Sequence, residues 1–241
     1  MISQGNDMND RHFLRHAGPP LALPAVVFLA LFAGSLVLGA ILTGGTAPPI
    51  PFGATDASLR FFVDHATAVR VAAFLQFGAA VPLAIFTATV VSRLHFLRVQ
   101  VAGVTIALVG GLAASVFLAL SGLFEWVLSS PGVADVSANA RVLQLLVFAT
   151  GGPGHTVALG LLLAGVSLAG GLTRRLPRWV MWFGLVLAVF AELSSLTLLT
   201  DYAAVFVPLA RFPAFIWILC VAFTLPAGIQ APAADARGTA A

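Results

Sequence analysis

The chain has 241 residues, of which 60% are hydrophobic and only 9% charged, with a net charge of +3. An average soluble domain carries about 45–50% apolar and about 25% charged residues, so this composition leaves no soluble domain and marks an integral membrane protein. The arginines flank apolar runs and form no basic stripe with interleaved aromatics, which excludes nucleic acid as a partner despite the positive charge.

Residues 1–20, MISQGNDMNDRHFLRHAGPP, are polar and lack the apolar core and small-residue cleavage site of a signal peptide, so they are expected to form a tail ahead of a retained first span. Six stretches follow, at 21–43, 69–91, 99–123, 154–172, 180–200 and 203–225. Each reaches the ~18 apolar residues that cross a hydrocarbon core of about 30 Å at about 1.5 Å per residue. The expected fold class is all-α: a polytopic six-transmembrane-helix bundle over 21–226, within a single integral membrane domain spanning 1–241. Residues 227–241 are expected to be a disordered tail.

The chain has no lysine, and of its twelve arginines eight (Arg11, Arg15, Arg93, Arg98, Arg174, Arg175, Arg178, Arg237) fall on one side of the six-span layout. The positive-inside bias makes that side cytoplasmic and puts both termini there. Trp179 and Trp182 beside Arg178, and Trp126 at the other end, fit the aromatic belts of the two interfaces.

The long connections are on the other, outer side. Residues 44–68 join a Pro/Gly segment to a short helix that Asp56 or Ser58 could cap, and 124–153 contain SANARVLQLLVFAT, a second short helix capped by Asp135 or Ser137. In the second span Gln76 and Arg70 lie about 25 and 34 Å from Arg93 along the axis, and Pro82 is expected to kink the helix by freeing the carbonyl of Gly78. The third span carries Gly103, Ala107, Gly110, Gly111 and Ala114 at spacings of three and four, a stripe that admits a close helix neighbour. Glu125, Asp201 and Arg141 fall at or beyond the outer interface and are read as solvated.

TGGPGHT, residues 150–156, opens the fourth span. His155 lies about 28 Å from Arg174, at the outer edge of the core, so GGPG reads as a hinge between an external helix and the membrane-crossing one. A helix that starts at Gly154 also directs free N–H groups, with Gly151 and Gly152 nearby, towards a ligand that His155 could face. In the fifth span Glu192 is about 21 Å from Arg178, and Arg211, bracketed by Pro208 and Pro213, reaches nearly the same level in the sixth. Glu192 and Arg211 can therefore neutralise each other or floor a polar cavity. Gln76, His155, Glu192 and Arg211 are the candidate ligand-binding residues, with Arg70, Gly151, Gly152 and Gly154 in support.

Catalytic and metal-binding residues are not expected: HExxH, GxSxG, CxxC and a phosphate-binding glycine loop followed by Lys are all missing. No cofactor is expected either. A b-type haem needs two histidines facing each other from different helices, and His65 with His155 is the one pairing that could approach this. Lone Cys220, in the sixth span, reads as a small packing residue.

The segments RRLPRWVMWFGLVLA (174–188), LARFP (209–213) and ATGGPGH (149–155) resemble stretches of small multi-span bacterial proteins grouped as domain of unknown function 4386. The resemblance implies a bacterial inner-membrane protein of about this size and carries over no catalytic residue. The expected partners are the lipid bilayer and a small-molecule or lipid ligand at the outer face, with a homo-oligomer or larger membrane complex as a further expectation. The expected function is binding or transport of a small or amphipathic molecule through an outward-facing polar pocket. The alternatives are a non-catalytic accessory subunit and a membrane redox or haem protein.

Overall fold

The computed structural model describes residues 13–49, 52–53 and 55–230. Eight α-helices occur among them: α1 (Ala22–Leu42), α2 (Thr55–Asp64), α3 (Ala66–Phe96), α4 (Ala102–Leu128), α5 (Ser137–Ala149), α6 (His155–Leu172), α7 (Arg178–Leu193) and α8 (Phe206–Thr224). Joined across a π-helical turn at Thr150–Gly154, α5 and α6 form one 36-residue run, and six helical segments are long and apolar enough to cross a membrane. The six-helix all-α bundle expected from the sequence is the observed fold, with α2 and α5 as the extra elements at the end opposite the arginine-rich turns.

Around the bundle α1 packs on α3, α3 on α4, α4 on α6, α6 on α7 and α7 on α8, and α8 returns to α1. Phe28, Leu83, Phe86, Leu162 and Trp217 are fully enclosed between them. Lipid is as apolar as these side chains, so the bundle depends on close packing and satisfied backbone groups more than on burial itself. The α4 stripe does what its spacing implies. A side chain added at Gly165 of α6 would sit 2.5 Å from the carbonyl of Gly103 and 2.6 Å from the nitrogen of Ala107. Some hydroxyls within the spans are satisfied locally: Thr87 donates to the Leu83 carbonyl at 2.9 Å and Ser115 to that of Gly111 at 2.9 Å.

Pro82 lies inside α3, which runs from Ala66 to Phe96. The expected caps fare differently. Val136, with extended backbone, occupies the cap position of α5, and neither Asp135 nor Ser137 makes the expected cap bond. The capping proposed for Asp56 or Ser58 lies outside the described side chains.

At the arginine-rich end, Phe13–Arg15 (β1) pairs antiparallel with Gly228–Gln230 (β2) in a two-stranded ribbon. The expected tails at 1–20 and 227–241 therefore contribute a short structured element, and their remaining residues beyond 13 and 230 lie outside the described part. The ribbon places the two ends of the bundle on the same face. The turns there are tied together as well: Arg98 and Arg174 adopt left-handed conformations (φ 63° and 57°) after α3 and α6, and Arg175 Nη2 donates to the Leu97 carbonyl at 3.2 Å.

Candidate functional site

The break between α5 and α6 organises the half of the bundle opposite the arginine-rich turns. Pro153 has no N–H to offer the carbonyl of Ala149, and Gly152 takes a non-helical conformation (φ −83°, ψ −108°) that lets the chain bend there. The turn exposes backbone carbonyls inside an apolar bundle, where an unpartnered one is costly. Arg211 of α8 supplies the donors: Nη2 bonds the carbonyl of Gly151, lies 3.4 Å from that of Gly152 and 3.3 Å from Thr156 Oγ1. A cation beside the last carbonyls of α5 also faces the negative end of that helix dipole. On its other side the guanidinium stands 5.8 Å from the centre of the Phe32 ring of α1.

The expected pairing of Arg211 with Glu192 is not formed. Ala188 and Ala191 occupy the inward positions of α7, and Glu192, about 100° further round the helix than Ala191, is exposed. α-Helical structure stops at Leu193 and continues as a 3-10 turn at Ser194–Leu198 within one membrane-length run, so Glu192 sits in the last α-helical turn of that span. It lines a shallow groove with Gly160, Ala164 and Leu196.

His155 faces neither lipid nor water. It is fully buried at the start of α6, with Nδ1 at 2.9 Å from the carbonyl of Ala114 on α4. A carbonyl only accepts, so Nδ1 carries the proton, and Nε2 is left buried without a partner. His65, the other histidine considered for haem, packs against Phe61 with ring centres 5.0 Å apart. Among the described residues no cluster of three His, Cys, Asp or Glu is placed to hold a metal ion.

Gln76 connects the break to a cavity. Ser121 donates its hydroxyl proton to the Val147 carbonyl of α5 at 3.1 Å, so its oxygen can only accept from Gln76, whose Nε2 lies 2.8 Å away. That fixes the amide orientation, with Nε2 towards Ser121. Gly151 lies against the same serine, and a methyl group there would collide with Ser121 Oγ.

Gln76 also belongs to the wall of a cavity of about 360 Å³ enclosed by α1, the 45–48 segment, α2, α3 and Glu125 of α4. The walls are largely apolar, with Leu36, Phe61, Phe62, Val69 and Ala72 prominent. The roof at 45–48 is held by α5: Gln144 Nε2 donates to the Pro49 carbonyl at 3.2 Å, Arg141 reaches the Gly53 carbonyl at 3.5 Å, and Phe52 packs on Phe148 with centres 5.1 Å apart.

Glu125 is the residue that sequence reasoning missed. Counting along α4 places it at the outer interface, which suggests a solvated acid, but it forms part of the wall of the cavity beside the roof and α2. Half-buried, it has no hydrogen-bond or ion-pair partner among the described residues. A signal was present in the sequence: a lone acid on an apolar helix, opposite a long Pro/Gly connection able to fold over it.

Of the other expected residues, Arg70 lies outside this cavity. Its Nε and Nη2 reach the hydroxyl and carbonyl of Ser129, at 3.3 and 3.0 Å, closing the C-terminus of α4 beside an open crevice of about 390 Å³ that includes Asp135. Gly151 and Gly152 form the break and Gly154 the end of its π turn. The structure thus joins Arg211, Gly151, Ser121 and Gln76 in one contiguous network, keeps His155 in the packed interior, and separates Glu192 from them.

The chain matches no known family, no curated protein and no solved structure.

Proposed function

We propose that this membrane protein binds a small amphipathic molecule in the cavity between α1 and α3, with the polar end of the ligand at Gln76 and Glu125. The observation that carries this reading is a half-buried carboxylate with no partner among the described residues, in the wall of a largely apolar cavity of about 360 Å³. The volume lies within the roughly 300–1,000 Å³ typical of small-molecule sites, which combine apolar walls with a few convergent polar groups. An ionisable group kept unpaired at membrane depth is a disadvantage unless something complements it.

Binding is better supported than passage across the membrane. On the arginine-rich side of the cavity the bundle is filled by Phe28, Leu83, Phe86 and Trp217, all fully enclosed. The asymmetry of the arginines favours an orientation with the cavity on the outer side and both ends of the chain in the cytoplasm. The resemblance to the domain 4386 proteins adds a bacterial inner membrane as the location.

Native mass spectrometry of protein released from nanodiscs tests the reading with dodecanol, dodecyl sulfate and dodecylammonium as probes. At least one should bind saturably with a single copy per chain. Ala72→Phe, or Ala68→Phe if the first loosens α1 from α3, should abolish that binding while the helical circular dichroism is retained. Failure of all three probes to bind the folded wild type, or unchanged binding in folded cavity-filled variants, would rule the reading out.

A further inference from the structure

The polar lining of the cavity is chemically one-sided. Ser35 spends its hydroxyl proton on the Phe32 carbonyl at 2.7 Å, and Thr43 spends its own on the carbonyls of Ala40 and Thr46 at 3.1 and 2.9 Å. Gln76 commits its amide nitrogen to Ser121 at 2.8 Å, which leaves Oε1 and one N–H on that nitrogen. Glu125 as a carboxylate can only accept. In the roof the backbone N–H groups of Gly45 and Thr46 are used on the carbonyls of Ala40 and Thr43 at 2.8 and 3.2 Å, while the Thr46 hydroxyl and the Ala47 N–H remain as neutral donors. Among the described residues the wall contains one acid and no Lys, Arg or His.

From this balance we infer that the ligand is an amphiphile with an N–H-bearing ammonium head, taken as its cation, the head received by Glu125 and Gln76 Oε1 and the tail lying along the α1–α3 wall. The inference rests on the binding function proposed above and specifies its ligand class. An unpaired carboxylate beside a free amide oxygen, with no cation among the described lining residues, complements a group that brings two or three N–H donors and a positive charge. Charge-assisted N⁺–H···O⁻ bonds are roughly twice as strong as neutral ones. A sulfate or carboxylate head would be repelled by the Glu125 charge, with only neutral donors to offset it. A hydroxyl head would satisfy one acceptor and leave the rest unpaired. A quaternary ammonium has the charge but no N–H, so it would be held less well than a primary one. The same chemistry is available from a free hydrophobic amine or from the ethanolamine head of a membrane lipid.

The three dodecyl probes in nanodiscs made only of choline lipid provide the test, with dodecyltrimethylammonium as a fourth. Dodecylammonium should bind at least tenfold more tightly than dodecyl sulfate and more tightly than dodecyltrimethylammonium. Glu125→Gln should reduce that cation preference to within about twofold while dodecanol still binds, and Glu125→Asp should keep most of it. Equal binding of cation and anion, or a preference that survives Glu125→Gln, overturns the ligand class and leaves the binding function intact. Absence of binding by every probe overturns both. Given the cation preference, repeating the titration in ethanolamine-lipid nanodiscs identifies the source: weakened dodecylammonium binding assigns the head to the lipid, and unchanged binding assigns it to a free amine.

Discussion

Arg211 of α8 donates to the carbonyl of Gly151, the residue just ahead of the non-helical Gly152 in the break between α5 and α6. A single side chain thus closes the backbone gap that GGPG opens in the membrane-embedded bundle. It also fixes the angle at which α5 leaves α6, and α5 in turn holds the roof of the cavity through Gln144 and Phe148.

Replacing Arg211 should therefore be felt at two places. Arg211→Ala leaves the Gly151 and Gly152 carbonyls without their donor, and a buried polar group that loses its partner costs about 1–3 kcal/mol. The thermal unfolding midpoint in detergent should fall. Amide exchange in 137–149 should accelerate more than in α3 or α4. Arg211→Lys keeps a donor and the charge and should recover part of the loss. A uniform change in exchange across all helices would show that Arg211 does not act through the break.

The contact of α4 with α6 leaves no room for growth. At Gly165 a new Cβ would meet backbone atoms of Gly103 and Ala107, and backbone cannot swing away as a side chain can. Gly165→Ala should destabilise by about 1–3 kcal/mol through overpacking, and Gly165→Leu should prevent a folded, monodisperse protein. Gly34→Ala is the control: its Cβ would find only Leu75 at an ordinary 3.8 Å, so the unfolding midpoint should barely move.

The spans, the GGPG break and the small-residue stripe could be read from sequence because each follows from local chemistry: length of apolar run, a missing N–H, absence of side chains. The site was only partly legible. Depth counting placed Glu192 and Arg211 at one level, but level says nothing about azimuth, and Glu192 turned out to sit about 100° away from the inward-facing Ala191. Glu125 failed in the opposite way. Counting along α4 gives its position on the helix axis, whereas its place in the cavity wall depends on how the 45–48 segment folds back, a tertiary relationship that no local pattern encodes. The pairing of residues 13–15 with 228–230 was invisible for the same reason, since its two halves lie at opposite ends of the chain.

That terminal ribbon is expected to respond to pH through His16. Its Nε2 lies 2.9 Å from Ser92 Oγ, its ring meets Phe96 edge-on at 5.5 Å, and its backbone N–H donates to the Ala227 carbonyl at 2.9 Å. Partial burial, and secondarily the nearby Arg93 charge, push the imidazole pKa below its ordinary 6.5. A lowered value means that the docked state prefers neutral histidine. Its stabilising contribution is complete above the ordinary pKa of about 6.5 and is lost as pH falls below it, because the released histidine takes up a proton more readily. Amides of 13–16 and 228–230 should lose protection between pH 7.5 and 5.5 after correction for intrinsic exchange. His16→Phe should flatten that dependence. Protection that is independent of pH in the wild type would refute the role of His16.

Gly151 joins the break to the ligand head, and its substitution separates the two. In Gly151→Ala the new methyl group takes the place of Ser121 Oγ. Ser121 must turn away, and Gln76 loses the acceptor that holds its amide nitrogen out of the cavity. The amide is then free to present N–H groups where the proposed ammonium head would bind. Dodecylammonium affinity should fall severalfold, with dodecanol affinity changed much less, since one more donor is harmless to a hydroxyl. Ser121→Ala removes the same acceptor without adding bulk and should reproduce the effect at smaller cost in stability. If both variants bind dodecylammonium as the wild type does, the orientation of Gln76 has no part in selecting the head group, and Glu125 alone must account for the preference.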